Sequence, residues 1–541
     1  MMTSRRRAVY RLLIPAVAAA AVASATAACS DPASPALAAP GPQASVSGSW
    51  PTAGHDIGNT RDTNGEHIIG PGNASRLTMA WSITTPGEVS DTPTEYDGVV
   101  YFTDKGGKLW AVAGDSGRVL WSDEVSGYTG FPAESRTSPA VYGDELVLGD
   151  SSGPGHGAYV FAVSRRTGRL IWRTKVDTNP AAIITSSPVL YRGVAYLGVS
   201  SEEEALAAEP GYRCCTFRGS VVALNARTGR LLWQTYTVPP GYSGGAVWGS
   251  TPAIDPADNL VYVGTGNNYS APAGICTATG EKGCAPPPAG DHVDSVLALD
   301  VRTGAVRWFM STLSSDVNTQ ACTVHSMCGP DFDFGSGPNL FRLPSGRELL
   351  GIGQKSGVYW ALDPKTGTVA WHRQVGPGSA FGGMQWGSAT DGRHIYVAIG
   401  NVDSRPYTIT SASGHASTTS GGSWAALDAA TGKILWQVAD PQQAADLGYV
   451  SIASGLVYAG STADTGNDMY VLDASTGKIL WRFASGAPVT SGAAIAGGSV
   501  YWGSGYALLA TRCPDGIGAI KACEGSGNKM YAFRLERAGH R

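Results

Sequence analysis

Charge is scarce in this chain, and its scarcity excludes several roles. Asp, Glu, Lys and Arg make up only 15% of the 541 residues, and no basic patch or Lys-rich strip gathers the positive ones, so nucleic acid is not an expected partner. Setting aside Arg5, Arg6, Arg7 and Arg11, which lie in a leader-like N-terminus, takes the formal charge from -4 to about -8 for the remainder. Long runs of helical periodicity are missing, which argues against an α-helical or α/β domain. The longest early apolar run, Leu12 to Val22, is too short to span a bilayer. No C-x-x-C-H occurs, since CTVHSMC at Cys322 to Cys328 has the wrong spacing, so attached haem c is not expected. The nine His residues show no metal-ligand spacing.

Residues 1–28 combine a basic start, an apolar stretch and small residues, and read as a secretory leader. Ser4-Arg5-Arg6-Arg7 hints at twin-arginine export. Ala27-Ala28-Cys29 resembles a degenerate lipobox, so two readings stand, a lipid anchor at Cys29 or simple cleavage near Ala25 or Ala38. A lipid at Cys29 is the one expected link to a membrane. Residues 29–49, rich in Pro, Ala and Ser, read as a disordered linker. The product is therefore expected outside the cytoplasm, in the periplasm, at the cell surface or in the medium. With Cys29 set aside, the other cysteines fall into close pairs: Cys214 with Cys215, Cys276 with Cys284, Cys322 with Cys328, and Cys513 with Cys523. The last three suit local staples in an oxidising compartment. A bond between neighbours adds almost nothing by loop entropy, so Cys214-Cys215 is expected to serve the surface it presents.

What the chain has in abundance is one repeated phrase. MYVLDASTGKILW, ending at Trp481, recurs with variation at Trp121, Trp172, Trp233, Trp308, Trp371 and Trp436. Each copy alternates apolar and polar residues, turns through D-x-x-T-G and closes on Trp, which is the pattern of a β-hairpin. Such hairpins are unstable alone and must stack or ring together. Counting Trp81 gives eight units, the last finishing in MYAFRL at Met530 to Leu535. An all-β, eight-bladed β-propeller over residues 50–541 follows, with four-stranded antiparallel blades; an open solenoid is the rival. The segment Trp50 to Trp81 favours closure, because it can pair with the last blade. The eight Trp read as structural, docking blade on blade. Arg136-Thr-Ser-Pro, Thr185-Ser-Ser-Pro and Gly249-Ser-Thr-Pro fall where innermost strands begin, at the channel where propeller ligands bind.

Five further stretches carry a family resemblance: GVSSEEE at Gly198 to Glu204, RCCTFRGS at Arg213 to Ser220, VWGSTPAIDPADNLVYVGTGN at Val247 to Asn267, PDFDFGSGP at Pro330 to Pro338 and GQKSGVYWALD at Gly353 to Asp363. With them the chain resembles the quinoprotein alcohol dehydrogenases, eight-bladed propellers that bind pyrroloquinoline quinone, and among them the branch acting on polyvinyl alcohol. The resemblance implies oxidation of secondary or polymeric alcohols by hydride transfer to the quinone, with Ca²⁺ as Lewis acid. It places Thr185 and Ser200 on the cofactor's polar edge, Trp248 beneath its rings, and Lys355 on the quinone oxygens. Glu203 and Asn267 would hold Ca²⁺ together with Asp333, which is also the base, with Asp331 the other candidate. Cys214 and Cys215 are placed by the resemblance over the cofactor. Arg136 comes from repeat register alone, as a partner for a cofactor carboxylate. These types suit a planar tricarboxylate, which wants an aromatic face and cationic or hydroxyl donors, and a cation that takes oxygen ligands. In lanthanide-using relatives a second Asp follows the base by two residues; Gly335 stands there, which favours calcium. Without haem, electrons would pass to a separate acceptor such as a cytochrome c. The competing reading is a non-catalytic propeller, a scaffold or binding protein that kept the repeat and lost the cofactor.

Overall fold

The computed structural model describes residues 48–324, 328–506 and 527–536. The leader, Cys29, almost all of the linker and the Cys513, Cys523 pair lie outside them. Eight four-stranded antiparallel units follow one another in chain order. In the first blade the strands are Thr94–Tyr96, Val99–Thr103, Lys108–Ala113 and Val119–Glu124, from the channel outward. The repeated phrase supplies the third and fourth strands of each blade, as in Met469–Asp473 and Ile479–Phe483. The third strands are almost wholly buried, whereas the outer strand Val306–Ser311 alternates half-buried and exposed, as a sheet edge with one wet face should.

The Trp residues join neighbouring blades. Each indole N–H reaches a carbonyl of the next blade: Trp172 donates to Ala226 at 2.8 Å, Trp233 to Val301 at 3.1 Å and Trp436 to Ala474 at 2.9 Å. The glycine of the following turn lies flat on that indole. At Gly229 a Cβ would come within 2.4 Å of Trp172, and the backbone there has φ 69°, so glycine satisfies both the turn and the docking. The eighth blade is made from both chain ends, Leu77–Thr84 pairing with Lys529–Leu535, and the Trp481 indole donates to the Leu77 carbonyl across the seam. The ring is therefore closed, and the solenoid alternative is set aside.

A segment that the repeat does not account for runs inside the ring. Residues 50–63 meet the innermost strand of each blade in turn. Trp50 exchanges backbone bonds with Glu95, Pro51 accepts from Val141, and Thr52 donates to Pro188. The carbonyls of Ile57, Gly58, Thr60 and Arg61 accept from Ile254, Leu340, Thr390 and Ile452, and Thr63 donates to Ile495. Arg61, buried among these strands, donates to the carbonyls of Ala53 and Val450 and lies 4.5 Å over the Tyr449 ring. No helix among the described residues is long and apolar enough to cross a membrane.

Candidate active site

Blades three to five deliver their chemistry at one end of the channel because antiparallel strands return their connecting loops there. Thr185 precedes the inner strand Val189–Tyr191, and Ser200 ends Val194–Ser201. Trp248 precedes Ala253–Asp255, and Asn267 follows Leu260–Gly264. Asp331 and Asp333 precede Asn339–Arg342, and Lys355 follows Glu348–Gly353.

Asp333 is the hub, buried and ligated from three directions. Its Oδ2 accepts the Trp248 indole N–H at 2.8 Å and meets Lys355 Nζ at 2.7 Å; its Oδ1 accepts the Asn267 backbone N–H at 2.8 Å. Gly266 permits this approach, since a Cβ there would lie 2.8 Å from Asp333 Oδ1. Lys355 Nζ also donates to Asp331 Oδ1 at 2.8 Å and lies 5.2 Å from the centre of a partly exposed Trp248 ring. Thr185 Oγ1 donates to the Trp248 carbonyl at 2.6 Å and shares a hydrogen bond with Ser200 Oγ at 2.9 Å. Thr185, Ser200, Trp248, Asn267, Asp331, Asp333 and Lys355 thus form one constellation.

Its electrostatics are acid-rich. Burial, with Asp333 and Glu204 nearby, holds the Asp331 carboxyl well above the usual carboxylate range despite Lys355. Glu204 is pushed up to about 7, by burial first and then by Asp333 and Asp316, against the pull of Lys355. Burial works against the Lys355 ammonium, but Asp331, Asp333 and Glu204 outweigh it and raise its pKa.

Glu203 is held by its own loop. Its oxygens accept from Tyr212 Oη at 3.0 Å, from Thr216 Oγ1 at 3.1 Å and from the backbone N–H groups of Thr216 and Phe217 at 2.8 and 2.7 Å. It is buried and bound to the loop just after Cys214-Cys215, while its neighbour Glu204 shares the field of Asp333 and Lys355. Consecutive residues of the short helix Glu203–Leu206 point about 100° apart, so the two carboxylates leave it in different directions. Cys214 and Cys215 are disulfide-bonded, Cys214 exposed and Cys215 packed beside the core of blades two and three.

Arg136 reaches the channel by another route. Its guanidinium lies 4.5 Å over Trp386 and 5.7 Å from the Tyr506 ring, and Trp386 stands edge-on to Trp248 at 5.2 Å. Trp386, Tyr449 and Tyr506, from blades six to eight, form an aromatic cluster that packs against Trp248. Sequence reasoning missed this cluster, although Trp386-Gly-Ser repeats Trp248-Gly-Ser in the same slot two blades on. It also missed Glu204, and Asp316 in a variable loop, for which no motif gave a sign.

Residues 73–213, 217–398, 292–461 and 420–516 match the family model described as outer membrane protein assembly factor BamB, each stretch covering several copies of the repeat. A polyvinylalcohol dehydrogenase of Sphingopyxis sp. (strain 113P3) is 31% identical over 488 residues, covering 80% of this chain and 69% of that protein. The chain belongs to the quinoprotein alcohol dehydrogenase family. A second polyvinylalcohol dehydrogenase, from Pseudomonas sp., is 32% identical over 61% of this chain and 52% of its own length, so the chain spans about half of that relative. Among solved structures, the quinohemoprotein alcohol dehydrogenase ADHIIG of Pseudomonas putida HK5 superposes with a TM-score of 0.68 at 18% identity, covering 90% of this chain and 80% of that one. The quinoprotein alcohol dehydrogenase fold thus extends over the whole described ring.

Proposed function

We propose that this chain is an exported alcohol dehydrogenase using pyrroloquinoline quinone and a metal ion, taken to be Ca²⁺, on secondary alcohols, including polymeric ones such as polyvinyl alcohol. The reading rests on one observation: an indole, a backbone amide and a lysine from separate blades converge on the Asp333 carboxylate. The residues fit the group. Trp248 offers a partly open flat ring, Thr185 and Ser200 offer hydroxyls, and the excess of buried acid over Lys355 is the donor set a hard cation takes. Trp248, Thr185, Ser200, Lys355 and Arg136 would hold the quinone, with Cys214-Cys215 at its edge. Asp333, Asn267 and Glu204 would hold the metal, Glu204 replacing Glu203 in that role. When bound, the quinone supplies a two-electron hydride acceptor and the metal a Lewis acid.

The chain's own part is to orient and to move one proton. Asp333, its two oxygens fixed by Trp248 and Asn267, receives the substrate hydroxyl proton. Lys355, shared between Asp331 and Asp333, pairs with the base and can lean toward either carboxylate as that proton arrives. Trp386, Tyr449 and Tyr506 exclude water beside Trp248. Electrons leave to a separate acceptor, such as a cytochrome c. Residues 1–28 serve as leader, 29–49 as linker with a lipid at Cys29 or none, and 50–541 as the catalytic propeller. A scaffold that had lost the cofactor would have no use for buried acids at such a cost.

The test is reconstitution. Purified apoprotein given the quinone and Ca²⁺ should reduce an artificial dye with a panel of secondary alcohols, and its quinone absorbance should shift on binding. A chain that binds no quinone and reduces no dye with any alcohol would return the reading to a non-catalytic propeller.

A further inference from the structure

Near Asp333, bonded to the turn that carries it, lies a second pair of acids that the proposed chemistry does not use. Asp294 immediately precedes the strand Ser295–Asp300 of blade four, and Asp316 sits in the loop that follows Val306–Ser311. Neither side chain has any surface open to solvent. Asp316 Oδ2 accepts the Phe332 backbone N–H at 3.1 Å, but Asp316 Oδ1 and both oxygens of Asp294 are buried with no hydrogen-bond donor. The two carboxyl groups lie within hydrogen-bonding reach of each other.

We infer that Asp294 and Asp316 form a second cation site, one that takes a hard divalent ion such as Ca²⁺ or Mg²⁺ through oxygen. Isolation is the first argument. Both carboxyls are fully buried, and among the described residues neither forms an ion pair with Lys, Arg or His, whereas Asp331 and Asp333 share Lys355. Donor count is the second. A proton shared between the pair occupies one oxygen of each and leaves a third buried oxygen bare, whereas a hard cation takes all three. Asn268, whose N–H donates to the Asp316 carbonyl at 2.9 Å, carries a buried Oδ1 without a donor.

An ion here has a mechanical consequence. Asp316 holds the Phe332 N–H, between the two acids of the Asp331-Phe332-Asp333 turn, and the ion would tie that turn to blade four through Asp294. The ion would be a second one, beside that proposed at Asp333.

The experiment counts metal in the full chain. Protein stripped of metal, then equilibrated with Ca²⁺ and quinone and freed of excess, should carry two ions per chain by elemental analysis. Asp294→Asn and Asp316→Asn should each lose one ion while the quinone absorbance stays, and Glu204→Gln should lose the other. Because either Asp variant can fail to fold, the unaltered chain is also titrated with Tb³⁺, where sensitised emission should rise in two steps. One ion per chain, lost in Glu204→Gln and kept in Asp294→Asn, with a single Tb³⁺ step, overturns the inference and leaves a shared proton. One ion lost in Asp294→Asn but kept in Glu204→Gln upholds this site and counts instead against the metal proposed at Asp333.

Discussion

The indole N–H of Trp248 donates to Asp333 Oδ2 at 2.8 Å, so the ring offered to a flat cofactor also aims the carboxylate proposed as base. Substitution can separate the two roles. Trp248→Phe keeps an aromatic face and removes the donor, and a hydrogen bond to a charged group contributes about 1.5–3 kcal/mol. Quinone affinity should change little, while kcat with a secondary alcohol should fall roughly tenfold or more. An equal loss in affinity and no change in kcat would assign Trp248 to stacking alone.

Asp333→Ala removes the proton acceptor. General-base catalysis contributes about 10²–10⁴-fold, so turnover should drop by about that factor or more. The thermal midpoint should fall, because the Trp248 and Asn267 N–H groups and Lys355 lose their shared buried acceptor. Asp331→Asn, which leaves the Trp248 and Asn267 contacts intact, should cost less. The opposite order would move the base to Asp331.

The strap inside the ring makes stability depend on pH. Burial first, then the nearby carboxylates Asp391 and Asp56 against His55, push Asp62 up from 3.8 to about 7. Its folded form therefore holds a proton that the unfolded chain gives up. That stabilisation is fully present below about pH 4 and is lost as pH rises through 7. Glu95, which receives the other end of the strap at Trp50, is likewise raised to about 7 by burial. Metal-free protein should melt at a lower temperature at pH 8 than at pH 5, and Asp62→Asn should flatten that slope and raise the midpoint at pH 8. A midpoint that climbs steadily from pH 5 to 8 in both proteins would refute it.

Arg61 tests whether the strap holds the ring together. Arg61→Ala removes the guanidinium bonds to the carbonyls of Ala53 and Val450, leaving Ala53 the longer bond from the Trp50 indole at 3.3 Å, and opens space beside Tyr449. Losing buried hydrogen bonds from a charged group costs about 3 kcal/mol in total. The melting midpoint should drop by several degrees, and limited proteolysis should cut within residues 50–63 first.

The ring was legible because its cause is local and repeated. The turn glycines, such as Gly229 and Gly477, and the Trp that each one covers lie in every copy of a single phrase, so hairpin, blade and blade count could all be read from spacing. The residues that converge around Asp333 could be read only where family motifs or repeat register marked them, at Thr185, Ser200, Trp248, Asn267, Asp331, Asp333 and Lys355. The strap could not be read, because residues 50–63 bond mainly through backbone carbonyls, which leave no trace in side-chain pattern. Asp294 and Asp316 escaped notice for a related reason: they come together from two loops of blade four, and sequence distance hides a contact made across a turn of the sheet.

Glu203 and Glu204 show how a run of acids conceals a division of labour, and a matched pair of variants can resolve it. Glu203→Ala strips Tyr212, Thr216 and Phe217 of their shared acceptor, so the loop carrying Cys214-Cys215 should loosen. Its backbone N–H groups should exchange hydrogen faster, and Glu203→Gln, which restores only part of the acceptor set, should recover part of the protection. Metal affinity should move little in either. Glu204→Gln should do the reverse: loop exchange stays as in the parent, while the Ca²⁺ needed for reconstitution rises by about tenfold or more, because a carboxylate ligand has become a neutral amide. If Glu203→Gln raised the Ca²⁺ requirement and Glu204→Gln did not, the ligand would be Glu203, and the hydrogen bonds now seen on it would have to open for metal to enter.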